Sequence, residues 1–310
     1  MRFLKVCLVS ALLVSMAYAM PLNGSARTCV PADVLQLISV DYRALKDSST
    51  AMVLKNQLMP DNIKQFEAAL KGIGIDPEKD VDTLTFVSFR AGKQGVRGMG
   101  VASGPFSAKT VLKKMKLQSY KPKKYNNSDL YPMDGGFVMT FLDDNTLMFA
   151  DSAAIRMALD TRDGQNLSLD TNGTMADMMS SVDDAPVWSI LDQQGTQNMM
   201  RSALGDASKV ADYETVKKRI LASRYTMQFQ SGVNFDLTVL TSDSMTAATM
   251  SSLVKAGILY KKMSATPAEK VAVDNTTVDS DGSNLMIHFK ASDAQFQSLM
   301  HSELFAAVSH

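Results

Sequence analysis

Short runs of alternating apolar and polar residues recur along this chain, and one-sided helical stripes follow them. Residues 34–40, Val-Leu-Gln-Leu-Ile-Ser-Val, predict a strand that ends at Asp41. A helix is predicted over 61–71, with Asp61 as its cap, Ile63, Phe66 and Leu70 on one stripe, and Gly72 as terminator. Strands at 84–89 and 98–102 then precede a helix capped by Ser107, whose apolar face is Val111, Leu112 and Met115. Strands at 137–142 and 146–150 flank the turn Asp143-Asp144-Asn145, and Ser152 caps a short helix carrying Ile155, Ala158 and Leu159.

The same order returns later. A strand at 187–191 ends at Asp192, as the first ended at Asp41, and helical sequence follows near 196–204 and 212–222. Strands at 225–230 and 235–240 meet across Ser231-Gly232, and a helix is predicted from Ser244 to Gly257. A hairpin turns at Asp281-Gly282, and Ser292 to Gln295 form a capping box for a helix with Phe296, Leu299, Met300 and Leu304 inward. Leu147, Phe149, Ser152, Ala154 and Leu159 recur without a gap as Ile287, Phe289, Ser292, Ala294 and Leu299. The pattern predicts an α+β protein of two tandem β-β-α-β-β-α repeats, antiparallel sheets with helices on one face. The expected units are 31–160 and 185–310, joined by a polar linker at 161–184.

Residues 1–19 have the form of a signal peptide: basic Arg2 and Lys5, an apolar core, and Ala17-Tyr18-Ala19 as a small-x-small cleavage site. Residues 20–30 are expected to be a disordered lead-in. No later stretch reaches the roughly 18 apolar residues of a membrane helix, so an exported protein, periplasmic or secreted, is expected. Losing Arg2 and Lys5 takes 32 basic residues to 30 against 32 acidic ones, a net charge near −2 that argues against nucleic-acid binding. Only Cys29 of the two cysteines then remains, which leaves no partner within the chain for a disulfide, and its place close to the terminus suggests an incidental thiol.

The opening Pro31-Ala32-Asp33-Val34 with its strand to Asp41, the run Gly74-Ile75-Asp76-Pro77-Glu78-Lys79-Asp80-Val81-Asp82, and the Phe-Leu-Asp-Asp-Asn-Thr turn at 141–146 resemble a group of exported bacterial proteins known as domains of unknown function. The resemblance spans most of the mature chain and implies a duplicated α+β fold. Its shared residues are structural, and it implies no catalytic set.

Chemistry is sparse. The histidines are His288, His301 and His310, and no Gly-x-Ser-x-Gly elbow accompanies them. No pair of His or Cys has zinc-ligand spacing. Asp143-Asp144 and Asp183-Asp184 are neighbours that point apart, which suits turns better than acid–base work. Asp279-Ser280-Asp281-Gly282 lacks the length and the later Glu of a calcium loop. Gly92, Gly95, Gly98 and Gly100 precede a strand rather than a helix, so they do not form a phosphate cradle. The 22 methionines include Met175, Met178, Met179, Met199 and Met200. Copper(I) binding or a plastic apolar surface is conceivable for them, but adaptable core packing accounts for them better. No cofactor motif is present.

One cluster stands out: Lys109, Lys113, Lys114, Lys116, Lys121, Lys123 and Lys124, with Tyr120 and Tyr125 interleaved. A solvated helix face and loop is the plainer account of it, and the functional one is binding of an anionic envelope component or an acidic protein partner. The expectation is a non-enzymatic binding or structural module of the cell envelope. The alternatives are a carrier of a lipid or other apolar small molecule held between the two units, and a hydrolase with an unconventional site around His288.

Overall fold

The computed structural model describes residues 22–46, 48–58, 61–117, 121–204 and 213–300. The chain opens with α1 (Gly24–Arg27), β1 (Val34–Asp41), α2 (Tyr42–Lys46), α3 (Ser49–Leu58), α4 (Asp61–Gly72) and α5 (Pro77–Asp80). The hairpin β2 (Thr83–Arg90) and β3 (Val96–Ser103) leads to α6 (Ala108–Leu117). Then come β4 (Lys123–Tyr125), β5 (Ser128–Pro132), β6 (Val138–Phe141), β7 (Thr146–Ala150), α7 (Ser152–Arg162) and α8 (Gly173–Ser180). The second half holds β8 (Val187–Leu191), α9 (Gln193–Leu204), α10 (Tyr213–Lys217), β9 (Ile220–Gln228) and β10 (Val233–Thr241). It closes with α11 (Ser244–Ser264), α12 (Pro267–Asp274), β11 (Thr276–Asp281), β12 (Asn284–Ala291) and α13 (Asp293–Met300).

All twelve strands form one sheet, in the order β11-β12-β10-β9-β8-β1-β2-β3-β7-β6-β5-β4. Every pairing is antiparallel. The protein is therefore a mixed helix and strand structure on an antiparallel sheet. The two halves join edge to edge into a single sheet, because β1 and β8 pair directly, from Gln36 against Leu191 to Val40 against Val187. Asp41 and Asp192, the residues that end or follow these strands, both turn the chain into a helix. Asp41 Oδ1 accepts from the Ala44 amide at 2.9 Å, and Asp192 Oδ1 from the Gly195 amide at 2.8 Å.

The strand registers divide the sheet into two faces. One face carries Leu84, Phe86, Ala102, Leu147 and Phe149 in the first half, and Leu237, Val239, Leu285 and Ile287 in the second. Helices cover it throughout: Phe66 and Leu70 of α4 and Val111 and Met115 of α6 on one side, Met200 of α9 and Met250 and Val254 of α11 on the other. Gly100 sits opposite Phe149 here, and a Cβ on it would lie 1.8 Å from the Phe149 ring, which stacks on Phe66.

The opposite face behaves differently in the two halves. Over the first half it is buried under α1, α7 and α8, which pack Ala26, Ile155, Leu159, Met175 and Met179 against Val87, Met148 and Trp188. The expectation of helices on one face fails there. Two segments expected to be loose are part of this layer. Residues 161–184, expected as a polar linker, carry α8 with Met175, Met178 and Met179 buried, and residues 22–30 of the expected disordered lead-in bury Ala26, Cys29 and Val30. Over the second half the same face shows Thr226, Asp236, Thr238, Met286 and His288 to solvent, the ordinary condition of an antiparallel sheet.

A one-residue difference separates the helices that follow the two last strands. β7 stops at Ala150 and Asp151, not Ser152, caps α7, accepting from the amides of Ala153 and Ala154 at 2.8 and 2.9 Å. At the matching point β12 continues one residue further, to Ala291, and Ser292 caps α13 in a reciprocal bond with Gln295. Successive strand residues face opposite ways, so that residue changes the side on which the chain leaves the sheet. Accordingly α7 packs with Met148 and Ala150, whereas α13 packs with Val233, Ala291 and Phe289 on the other face.

Gly100→Ala should cost about 1–3 kcal/mol in urea unfolding, because the added methyl overlaps the Phe149 ring, and Phe149→Leu on the same chain should recover part of the loss. A second expectation concerns Asp243, which caps α11. It accepts from the Thr246 amide at 2.8 Å and from the hydroxyls of Ser242 and Thr246, and these bonds hold its carboxyl down at about 2. A depressed carboxylate stabilises above its unfolded pKa and loses that contribution as pH falls through the folded value. The stability gap between the wild type and Asp243→Ala, open at pH 7, should therefore close between pH about 4 and about 2 in thermal melts.

Candidate functional site

The lysine-rich segment falls on two elements: α6, which packs on one face of the sheet, and β4, whose Tyr125 reaches α7 on the other. Helix α6 buries Val111 and Met115, which turns Lys109 and Lys113 outward, four residues apart on one face. Lys121, Lys123 and Lys124 lie on and before β4, the outermost strand at this end. Two of the seven are engaged: Lys114 donates to the Gly74 carbonyl at 3.3 Å, and Lys124 pairs with Asp129 at 3.3 Å. Lys109, Lys113, Lys121 and Lys123 are exposed, and no ion pair joins them to other described residues. The side chain of Lys116 and all of Tyr120 lie outside the described residues.

Tyr125 holds the β4 lysines in place. Its hydroxyl bonds to Asp160 at 2.8 and 3.0 Å, and the Arg156 guanidinium sits 5.1 Å over its ring, so the β4–β5 hairpin is tied to α7. The hydrogen bond to Asp160, then burial, push the Tyr125 hydroxyl above its ordinary range. Lysines on an outermost strand, with Pro122 just before it, also keep another chain from adding to the sheet there, which is a structural use for the same residues.

The other candidates disperse. His288 lies opposite Asp236 on the open sheet face, with Nδ1 2.6 Å from Oδ1. No cleft surrounds that pair among the described clefts. His301 and His310 lie outside the described residues. Asp143 serves its hairpin turn, accepting from the Asn145 amide at 2.8 Å. Asp183 follows α8, where burial and then the charge of Asp184 raise its carboxyl above the usual range. Among the glycines, Gly92 and Gly95 adopt positive φ in a 3₁₀ connection between two strands, as a hairpin needs.

The methionines serve packing. Met175, Met178 and Met179 are in the core on one sheet face, while Met200 is buried on the other, so these thioethers do not converge. No group of three or more His, Cys, Asp or Glu among the described residues is placed to hold a metal ion. Cys29 is fully buried, and burial pushes its thiol up to about 11.

Sequence reasoning missed the clefts of the structure, two of which border β1 or β2. One, of about 610 Å³, lies between the α1 segment and the ends of β2, β3 and β7. Its polar groups are largely occupied: Arg43 donates to Asp82 at 2.5 Å, Asn23 to Thr146 at 2.5 Å, and Asn145 to the Phe106 carbonyl at 3.0 Å. The other, of about 360 Å³, sits between α9 and strands β1, β8 and β9, lined by Leu35, Gln36, Leu191, Asn198, Met199 and Tyr225. Both are assembled from residues far apart in the chain, so no local motif marks them.

Together these features define an α+β protein whose distinctive groups lie on surfaces rather than in a catalytic cleft. No family model and no curated protein matches the chain. Among solved structures it is similar to TP0453. Crystal form I aligns with a TM-score of 0.47 at 9% identity, covering 94% of this chain and 98% of that one. Crystal forms IV and III align at 0.43, with 8% and 9% identity, each covering 89% of this chain and 96% and 97% of theirs. At this distance no residue role passes from one chain to the other. No described helix is long and apolar enough to cross a membrane.

The raised thiol gives a direct check. In the folded protein Cys29 should react with a disulfide reagent at neutral pH at least about 100-fold more slowly than after unfolding in guanidinium, read from thiolate release.

Proposed function

We propose that the chain is exported, cut after Ala19, and acts as a non-enzymatic binding or structural module of the cell envelope. The observation that carries this reading is the set Lys109, Lys113, Lys121 and Lys123, four exposed ammonium groups on a chain of nearly balanced charge. A fixed concentration of positive charge on a rigid hairpin and helix attracts an anionic envelope polymer or an acidic protein face, and salt screens the attraction.

We also propose that the two halves descend from one duplicated unit. From the centre outward the strand order is β1-β2-β3-β7-β6 on one side and β8-β9-β10-β12-β11 on the other. That parallel order supports the reading, together with the recurrence of Leu147 and Phe149 as Ile287 and Phe289 and the equal roles of Asp41 and Asp192. The basic cluster belongs to the first half alone, the distribution expected when one copy acquires a partner.

The cleft beneath α9 favours a second reading, a carrier of a small amphipathic molecule. Its volume falls at the lower end of the range for small-molecule sites, and Leu35, Leu191, Met199 and Tyr225 offer apolar contact. Native mass spectrometry of the protein purified from its own host decides it, through a mass excess of a few hundred daltons.

For the leading reading, replacing Lys109, Lys113, Lys121 and Lys123 with Glu should lower the salt concentration that elutes the protein from a polyanion column by at least about a factor of two. The thermal midpoint should stay within about 2 °C, since all four side chains are exposed. Unchanged elution would reduce the cluster to strand-edge protection.

A further inference from the structure

Three of the most exposed apolar side chains of the described residues follow one another on the last turns of α11. Leu259, Tyr260 and Met263 are 65%, 74% and 86% exposed, and Val271 of the adjoining α12 is exposed as well. The first part of α11 behaves as a covering helix, burying Ala247, Met250 and Val254. None of residues 255–263 is buried, although five of those nine are Ala, Ile, Leu, Tyr or Met. Single exposed apolar residues are ordinary, but a run of this kind on one helix end marks a contact surface.

The surface is held firmly. Thr266 and Glu269 form a capping box at the start of α12, with Pro267 at its first position. The Glu269 carboxylate is buried, accepting from the Thr266 amide at 2.8 Å and lying 3.7 Å from Lys261 Nζ. Lys262 pairs with Asp274 of α12, and Lys255 lies 3.7 Å from Asp279 of β11. The two helices thus form one pinned hairpin with its apolar residues outward.

Its charge indicates the occupant. Lys255, Lys261, Lys262 and Lys270 stand against Glu269, Asp274 and the Asp279 that faces Lys255, a net charge of +1 on a mature chain near −2. Apolar side chains with a tyrosine among them, ringed by lysines whose exposed ion pairs a lipid phosphate can replace, are what an anionic lipid surface accepts at its headgroup boundary.

We infer that the end of α11 and α12 docks on an anionic lipid bilayer, with Leu259, Tyr260 and Met263 entering the headgroup layer and the lysines meeting lipid phosphates. This rests on the reading of the chain as an envelope binding module and names one partner for it, at a surface separate from the lysine cluster of α6 and β4.

The test is cosedimentation of the mature full-length protein with large vesicles, either of phosphatidylcholine alone or with about 30% phosphatidylglycerol. Wild type should bind the anionic vesicles, more weakly as salt rises, and bind the neutral ones poorly. The variant Leu259→Ser/Tyr260→Ser/Met263→Ser should bind at least about tenfold more weakly with an unchanged thermal midpoint, as the side chains removed are exposed. Leu167→Ser, at a separate exposed apolar position, should bind as wild type. No binding by wild type, or equal binding by the triple variant, overturns the inference. So does loss of a protein contact in the triple variant while wild type ignores both vesicle types. The lysine cluster has its own readout on the polyanion column, so failure of one surface is distinguishable from failure of the other.

Discussion

The antiparallel contact of β1 with β8 is the constraint on which the rest of this structure depends. Those two strands form the middle of a twelve-stranded sheet, and without their pairing each half would present an unpaired edge of hydrogen-bonding groups. The pairing is reinforced on both faces. Trp188 and Ile190 of β8 are buried under α8 on one side. On the other, α9 runs so close to β1 that a Cβ on Gly195 would lie 2.7 Å from the Leu35 carbonyl. A side chain at 195 would lift α9 from the junction and loosen both strands at once.

Joining the halves into one sheet moves the remaining risk to its two ends. The β4 end carries Lys123 and Lys124 behind Pro122, and the β11 end carries Asp279 and Asp281. Charges on outermost strands discourage further strand addition, and the β4 charges are also among those of the proposed binding surface.

Much of the architecture was legible in the sequence, because alternation and turn chemistry are local signals. The strands around Asp143-Asp144-Asn145 and Asp281-Gly282 lie where those signals place them, and His288 faces away from Leu285, Ile287 and Phe289 as alternation requires. What escaped was non-local. Residues 161–184 are rich in Asp, Asn, Gly, Ser and Thr, and composition favours a linker. Yet Met175, Met178 and Met179 in their midst face the sheet and make the segment part of the core. The α1 segment was missed in the same way: its burial depends on the floor offered by β7 and α7, which no window around residue 26 contains. The lysine cluster was visible as charge, but its division between engaged and unengaged ammonium groups depended on Gly74 and Asp129, brought close only by folding. The apolar end of α11 escaped as well. The helix was expected to end at Gly257, whereas it runs on to Ser264 and carries Leu259, Tyr260 and Met263 exposed on its added turns.

The single extra residue of β12 has a consequence for how tolerant each half is of change. Deleting Ala291 would place the cap of α13 where Asp151 places that of α7, and the helix would be aimed at the opposite face, over Met286 and His288. Insertions and deletions at this joint are thus not graded perturbations but reversals, each length parity selecting a different molecule. A helix exit that depends on odd or even count gives a sheet of this kind a discrete way to leave one half sealed and the other open.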